Sequence, residues 1–146
     1  MRYIVIFLVL SMLLTACSSD EEISIKPEIS FVSIDPVILV SGEGSVTIRI
    51  SYFDSDGDLG ENDANVKNLF VTDSRNNVRF SFRIPALAPE GESIAIRGEL
   101  PIIISNVALI GTGLSDETVQ YTVSVTDRAG NSSNTIETTP ITITSE

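Results

Sequence analysis

Apolar and polar residues alternate with a period of two along most of the chain after residue 27. The alternation is clearest in five runs, at residues 45–52, 77–84, 94–102, 118–125 and 141–144. A period of two places successive side chains on opposite faces of an extended backbone, so each run is typical of a β-strand with one buried face. Two further strands are predicted at residues 28–34 and 69–72. No stretch shows helical periodicity with capping residues at its ends.

Short polar segments rich in turn-forming residues separate these runs. Gly, Asn, Asp, Ser or Pro dominate residues 41–44, 73–77, 85–91 and 111–113, and these residue types favour turns. Short strands with one polar face favour antiparallel sheets over fully buried parallel ones. The sequence therefore predicts an all-β protein, an antiparallel β-sandwich of about seven strands that forms one domain over residues 28–146.

The last third of the chain carries a longer local pattern. Residues 121–131 have the sequence YTVSVTDRAGN, which resembles the penultimate strand and following turn of bacterial immunoglobulin-like and fibronectin-type domains. The resemblance extends over residues 45–144 and implies an immunoglobulin-like β-sandwich, with Tyr121 as its corner tyrosine. It implies little about function, because such folds carry many unrelated activities.

The N-terminal residues have the pattern of an export signal. Arg2 precedes an apolar run at residues 3–14, which is shorter than the ~20 residues that a membrane-spanning helix needs. The next residues complete a segment, Leu14-Thr15-Ala16-Cys17, that resembles the lipobox of bacterial lipoproteins. The resemblance implies that residues 1–16 are a lipoprotein signal peptide, and that Cys17 carries covalent lipid, including acyl chains such as palmitate. The alternatives are an uncleaved membrane helix and an ordinary signal peptide with a chance cysteine.

A short acidic tether follows the cysteine. Residues 17–27 are interpreted as the lipidated Cys17 and its tether, and residues 18–22 have the sequence SSDEE. That stretch resembles the acidic signal that sends lipoproteins of the Bacteroidota to the outer face of the outer membrane. The resemblance implies a lipid-anchored outer-membrane protein that faces the cell exterior. The alternative interpretation is a solvated linker that keeps the domain away from the membrane.

The composition disfavours several classes of function. The chain contains no His and has a net charge of −11, and the predicted signal peptide removes one of its positive charges. This acidity disfavours nucleic acid as a partner, because phosphates require Lys and Arg, but it is compatible with cation binding. With Cys17 committed to lipid, neither imidazole nor thiolate remains for catalysis. We therefore expect that the protein is not an enzyme.

One loop concentrates the acidic residues. Residues 54–63 contain five carboxylates within ten positions, at Asp54, Asp56, Asp58, Glu61 and Asp63. Alternating acids can direct several oxygen atoms toward one hard cation, and Ca²⁺ accepts six to eight oxygen ligands in flexible geometry. The glycine and glutamate positions of an EF-hand are not matched. The loop instead resembles the calcium-bearing loops of cadherin-like and immunoglobulin-like modules.

A second segment is expected to join this loop. If the strands before Asp54 and Asp127 are strands B and F of the sandwich, both leave it at the same end. The predicted calcium ligands are then Asp54, Asp56, Asp58, Glu61, Asp63, Asp127 and Asn131. The alternative is that these residues only form Asx-turns in a soluble loop.

The expected function is that of a surface-exposed outer-membrane lipoprotein presenting a β-sandwich interaction or structural module, stabilised by calcium. Its partners would be the membrane, through the lipid, and a protein in the envelope or on a surface. The alternative is a carbohydrate-binding accessory lipoprotein of a nutrient-uptake system, although the chain has no Trp for a sugar platform. A fimbrial subunit is a third interpretation.

Overall fold

The computed structural model describes residues 24–89 and 91–146. These residues form ten strands and no helix. The strands are β1 (Glu28–Asp35), β2 (Ile38–Val40), β3 (Ser45–Asp54), β4 (Leu69–Asp73), β5 (Arg79–Phe82), β6 (Ile96–Ser105), β7 (Asp116–Val119), β8 (Tyr121–Val125), β9 (Ile136–Glu137) and β10 (Ile141–Thr144). The part of the chain described includes no helix with the length and apolarity that a membrane span requires.

The strands belong to three sheets that together give a sandwich-like fold. Their strand orders are β1–β3–β6, β2–β10–β7 and β5–β4–β8–β9. Neighbouring strands are antiparallel, except that β2 and β10 are parallel. The predicted all-β class and the mainly antiparallel sandwich are therefore confirmed.

The strand count exceeds the predicted seven for local reasons. The run predicted as one strand at residues 118–125 is divided at Gln120 between β7 in one sheet and β8 in another. Gln120 leaves the ladder because its N–H donates to Ser74 Oγ at 3.1 Å and its carbonyl accepts from Ser74 N–H at 3.0 Å. The short strands β2 and β9 are additional, since neither has enough alternating residues to be recognised from sequence.

The core consists of the apolar residues of the alternating runs. Val46, Ile48 and Ile50 of β3 are fully buried, whereas Arg49 between them is exposed. Val71 and Val123, which are cross-strand partners in the sheet of β4 and β8, are also fully buried. Complete burial of a Val or Ile side chain contributes about 1.5–3 kcal/mol. This packing fixes the ends of β3 and β8, from which the two loops of the predicted site emerge.

Candidate metal site

Three carboxylates converge where β3 ends. Asp54, Asp56 and Asp58 each offer one carboxylate oxygen, and these three atoms lie within 4.8 Å of one another. We call these three residues the acidic cluster. Asp54 is the last residue of β3 and is 0% exposed, while Asp56 and Asp58 are half-buried. The alternating spacing seen in the sequence therefore does bring the three side chains together.

The backbone of this loop requires a glycine between Asp56 and Asp58. Gly57 has a φ of +76°, a left-handed conformation that L side chains rarely adopt. A Cβ atom there would also collide with the carbonyl oxygen of Ile94. Gly57 thus lets the loop turn closely against the chain before β6 and keeps Asp58 near Asp54.

The inward oxygens of the acidic cluster lack hydrogen-bond donors. Asp54 Oδ2 accepts from the N–H of Leu59 at 2.7 Å. The Oδ1 atoms of Asp54, Asp56 and Asp58 are buried and have no hydrogen-bond partner. A buried carboxylate oxygen without a partner is costly, and native structures rarely leave one uncompensated. Three convergent carboxylates, each with one buried oxygen that lacks a partner, form an oxygen ligand set that suits a hard cation.

The electrostatics of the acidic cluster reflect its excess negative charge. Burial raises the pKa of Asp54 to about 6, against the opposing hydrogen bond from Leu59, and the neighbouring Asp56 adds to the rise. Burial also raises the pKa of Asp58, followed by the charges of Asp127 and Asp56. Both shifts favour any species that neutralises the carboxylates, whether a proton or a metal ion.

The loop after β8 packs directly against the acidic cluster. The N–H of Ala129 donates to Asp58 Oδ2 at 3.0 Å, and the N–H of Arg128 donates to the Asp58 carbonyl at 3.3 Å. The Arg128 guanidinium donates to the carbonyls of Gly60 at 3.2 Å and Gly57 at 3.4 Å. Sequence reasoning missed Arg128, although it is the one cation within residues 54–63 and 126–135. It holds the loop through backbone carbonyls and leaves the cluster's inward oxygens unpartnered.

Asp127 and Asn131 lie beside the acidic cluster but bind each other. Asp127 Oδ1 accepts from the backbone N–H of Asn131 at 2.7 Å, and its Oδ2 accepts from Asn131 Nδ2 at 2.9 Å. The charge of Asp127 still acts on Asp58. Asp127 therefore adds negative potential to the site while its own oxygens are engaged in a turn.

The structure places Glu61 and Asp63 in local turns outside the acidic cluster. Glu61 Oε1 accepts from the N–H groups of Asn62 at 2.8 Å and Asp63 at 3.1 Å. Asp63 Oδ1 accepts from the backbone and side-chain nitrogens of Asn65. These bonds match the turn-forming alternative for this half of the loop. The seven predicted ligands thus divide into three that converge, two beside them and two in turns.

Arginines cover the aromatic rings near this end of the sandwich. The Arg97 guanidinium lies 5.9 Å from the ring centroid of Phe53, and that of Arg79 lies 3.8 Å from the centroid of Phe70. Cation–π contacts of this kind occupy one face of each ring. These rings do not strengthen the case for a sugar platform.

The predicted lipidation site, Cys17, lies outside the described residues, as do the signal peptide and the acidic stretch at residues 18–22. Those interpretations stay predictions from the sequence. The structure begins to describe the chain at Ser24, close to the acidic cluster, where Ser55 Oγ donates to the Ser24 carbonyl.

Comparison with known proteins identifies no family. No protein-family model matches the chain, and no curated protein matches it. Among solved structures, the chain is similar to a mutant of the SrpA adhesin from Streptococcus sanguinis, with 20% sequence identity and a TM-score of 0.38. The match covers 85% of this chain and 59% of that chain, so this chain spans less than two thirds of the adhesin's length. A likeness this loose assigns neither family nor function.

Proposed function

We propose that this protein is an outer-membrane lipoprotein, anchored through Cys17, that presents a calcium-stabilised β-sandwich as an interaction or structural module at the cell surface. The lipobox at residues 14–17 supports the anchor, and the acidic stretch at residues 18–22 supports the location. The acidic cluster supports the calcium, because its three inward oxygens are buried without partners.

The inward oxygens of the acidic cluster carry the calcium part of the proposal. Asp54 is fully buried, its Oδ1 has no hydrogen-bond partner, and its carboxylate lies close to two others. A divalent ion of hard character would neutralise this charge, and Asp54, Asp56 and Asp58 are the residues that would hold it. Ca²⁺ fits better than Mg²⁺, because a loop-borne carboxylate set suits variable coordination more than a strict octahedron.

Thermal unfolding of the mature protein in calcium and in EDTA tests the site. An ion that binds only the folded state stabilises it by about 2.7 kcal/mol at a concentration of 100 Kd, so we expect Tm to rise by several degrees. Asp56→Asn removes one cluster carboxylate and should abolish the rise. Asp63→Asn removes an equal charge from the same loop outside the cluster and should preserve it. Equal Tm values for the unmodified protein in millimolar calcium and in EDTA would refute the calcium site.

Cell fractionation tests the anchor and the location independently of calcium. The intact chain should partition with the outer membrane and incorporate labelled palmitate, whereas Cys17→Ser should do neither. External protease should digest the protein on whole cells if it faces the exterior. Incorporation of palmitate into the Cys17→Ser variant would exclude Cys17 as the lipid site.

Crosslinking on intact cells, with and without EDTA, tests the interaction role. A module of this kind should crosslink to a discrete envelope or surface protein. Binding of the purified protein to polysaccharide, without any protein crosslink, would favour the carbohydrate-binding alternative instead.

A further inference from the structure

The segment that leads into the sandwich is held by both loops that build the acidic cluster. We call residues 24–27 the leading segment. Ser55 Oγ donates to the carbonyl of Ser24, and Asn131 Nδ2 donates to the carbonyl of Ile25 at 3.3 Å. Ser55 lies between Asp54 and Asp56, and Asn131 is the partner of Asp127. One bond comes from the loop after β3 and the other from the loop after β8. The leading segment is therefore held by both loops of the site.

The chain after the leading segment is held differently. The N–H of Ile29 donates to Asn134 Oδ1 at 2.9 Å, and its carbonyl accepts from Asn134 Nδ2 at 2.8 Å. From Glu28 onward, β1 also pairs with β3. Pro27, which is buried, lies between these two parts of the chain. The chain is thus fixed to the sheet from Glu28, while Ser24 and Ile25 depend on the loops of the acidic cluster.

The conformation of those loops should depend on whether the acidic cluster holds a cation. The three carboxylates converge, each has a buried Oδ1 atom without a hydrogen-bond partner, and Asp54 is fully buried. Without a cation, mutual repulsion favours separation of the carboxylates, and Ser55, which lies between Asp54 and Asp56, shares any movement of their loop. With a cation, the carboxylates are drawn together and Ser55 keeps its position. The same ion reduces the field that Asp58 and Asp127 exert on each other.

We propose that cation occupancy of the acidic cluster controls the joint between the membrane tether and the sandwich, holding Ser24 and Ile25 when calcium is bound and releasing them when it is absent. This proposal rests on the proposed calcium site and lipid anchor. The tether from Cys17 to Ser24 reaches at most about 25 Å when extended, so the joint lies close to the membrane. Calcium outside the cell would then set how firmly the sandwich is oriented relative to that surface.

Electron paramagnetic resonance of a nitroxide label on an Ile25→Cys variant of the mature protein tests the joint directly. Ile25 is 58% exposed, so the position accepts a label, and a lipidated Cys17 has no free thiol to compete for it. Closing the joint should slow the reorientation of the label severalfold in calcium relative to EDTA, because the Ser55 and Asn131 bonds hold the carbonyls of Ser24 and Ile25. The same label on Ser30→Cys, at an exposed position of β1, corrects for any change that is not confined to the leading segment.

Ser55→Ala separates the joint from ion binding, because Ser55 is not one of the cluster carboxylates. The variant should keep the calcium-dependent rise in Tm but lose most of the slowing of the label at residue 25. The matched control is Ser30→Ala, at an exposed position of β1, which should behave like the unmodified protein.

The outcomes distinguish the two proposals. A calcium-dependent Tm rise without slower motion of the label at the leading segment would overturn the joint and leave the calcium site standing. Slowing that persists undiminished in Ser55→Ala would also overturn the joint as described. No Tm rise and no slowing would overturn the calcium site and the joint together.

Discussion

The two ends of the sandwich bury charge in opposite ways. At one end, β4 stops at Asp73 beside Tyr121, and the Arg75 guanidinium lies 2.7 Å from both Asp73 Oδ2 and Glu117 Oε2. At the other end, β4 starts at Leu69 beside Val125, and the loops there carry the acidic cluster. The first end matches its carboxylates with a cation from the chain itself. The second leaves the inward oxygens of its carboxylates without a partner.

The difference teaches where the chain pairs its carboxylates directly with a cation and where it does not. The side chains of Asp73, Arg75 and Glu117 are 5%, 8% and 16% exposed, and Arg75 also donates to the carbonyl of Ala108 at 2.9 Å. The hydrogen bond to Asp73 leads the interactions that hold the pKa of Arg75 above its ordinary value. The charge of Arg128 at the opposite end opposes the burial-driven rise in the pKa of Asp58, but its guanidinium donates to backbone carbonyls instead of to the carboxylates. A bound metal cation would neutralise the carboxylates of the acidic cluster, as the Arg75 guanidinium neutralises Asp73 and Glu117.

The largest effect is expected from Arg75→Met. This change leaves two buried carboxylates without their partner, and breaking a buried pair in this way costs about 3–5 kcal/mol. Urea denaturation should show the same loss in calcium and in EDTA, because the arginine end is remote from the acidic cluster. The control is Arg49→Met, whose pair with Glu99 is 3.9 Å long and about half exposed and should cost less than about 1 kcal/mol. A loss of stability below about 1 kcal/mol for Arg75→Met would mean that the two ends do not differ as described.

The opposite sign is expected from Asp54→Asn at the acidic end. In EDTA, the substitution removes one of three mutually repelling charges and keeps an oxygen for the Leu59 N–H, so the free energy of unfolding should rise by about 1–3 kcal/mol. In calcium, the same variant loses a ligand and should become less stable than the unmodified protein. Urea denaturation in both buffers measures this reversal. Destabilisation in EDTA would show that the cluster's carboxylates are already compensated within the fold.

The pH dependence in EDTA gives a further test of the acidic end. Burial raises the pKa of Asp54 from an ordinary value of 3.8 to about 6 in the folded protein, so the folded state binds more protons between these values. Stability from this group is full below pH ~4 and is lost as pH rises through ~6, a change of about 2 kcal/mol between pH 4.5 and 7. The difference between the unmodified protein and Asp54→Asn isolates this contribution. A difference that does not vary with pH would contradict the raised pKa.

Much of the fold was predictable because burial follows the period-two pattern. The runs at residues 45–52 and 141–144 became β3 and β10 with their alternate residues buried. The break at Gln120 was not predictable, because both Val119 and Tyr121 fit an unbroken strand. Its cause is a pair of hydrogen bonds with Ser74, more than forty positions away.

The candidate site was predictable only in part. Asp54, Asp56 and Asp58 converge because alternate residues of a sharply turned loop share one side. Glu61 and Asp63 are also closely spaced carboxylates, but they accept hydrogen bonds from the N–H groups of their neighbours. Sequence spacing cannot distinguish a carboxylate that joins the cluster from one that stabilises a turn. The Arg75 cluster was missed altogether, because Asp73 and Glu117 are distant in sequence and resemble ordinary surface acids.

The smallest effect is expected from Tyr121→Phe. The resemblance to immunoglobulin-like domains implied a corner tyrosine, whose hydroxyl hydrogen-bonds to the backbone. Here the Tyr121 hydroxyl is buried without a partner, and burial, with the charge of Asp73, raises its pKa to about 12. Removing an unpartnered buried hydroxyl relieves a desolvation cost, so the variant should match or slightly exceed the parent in stability, within about 1 kcal/mol. Urea denaturation provides the measurement. A loss above about 1.5 kcal/mol would mean that the Tyr121 hydroxyl makes a hydrogen bond at this end.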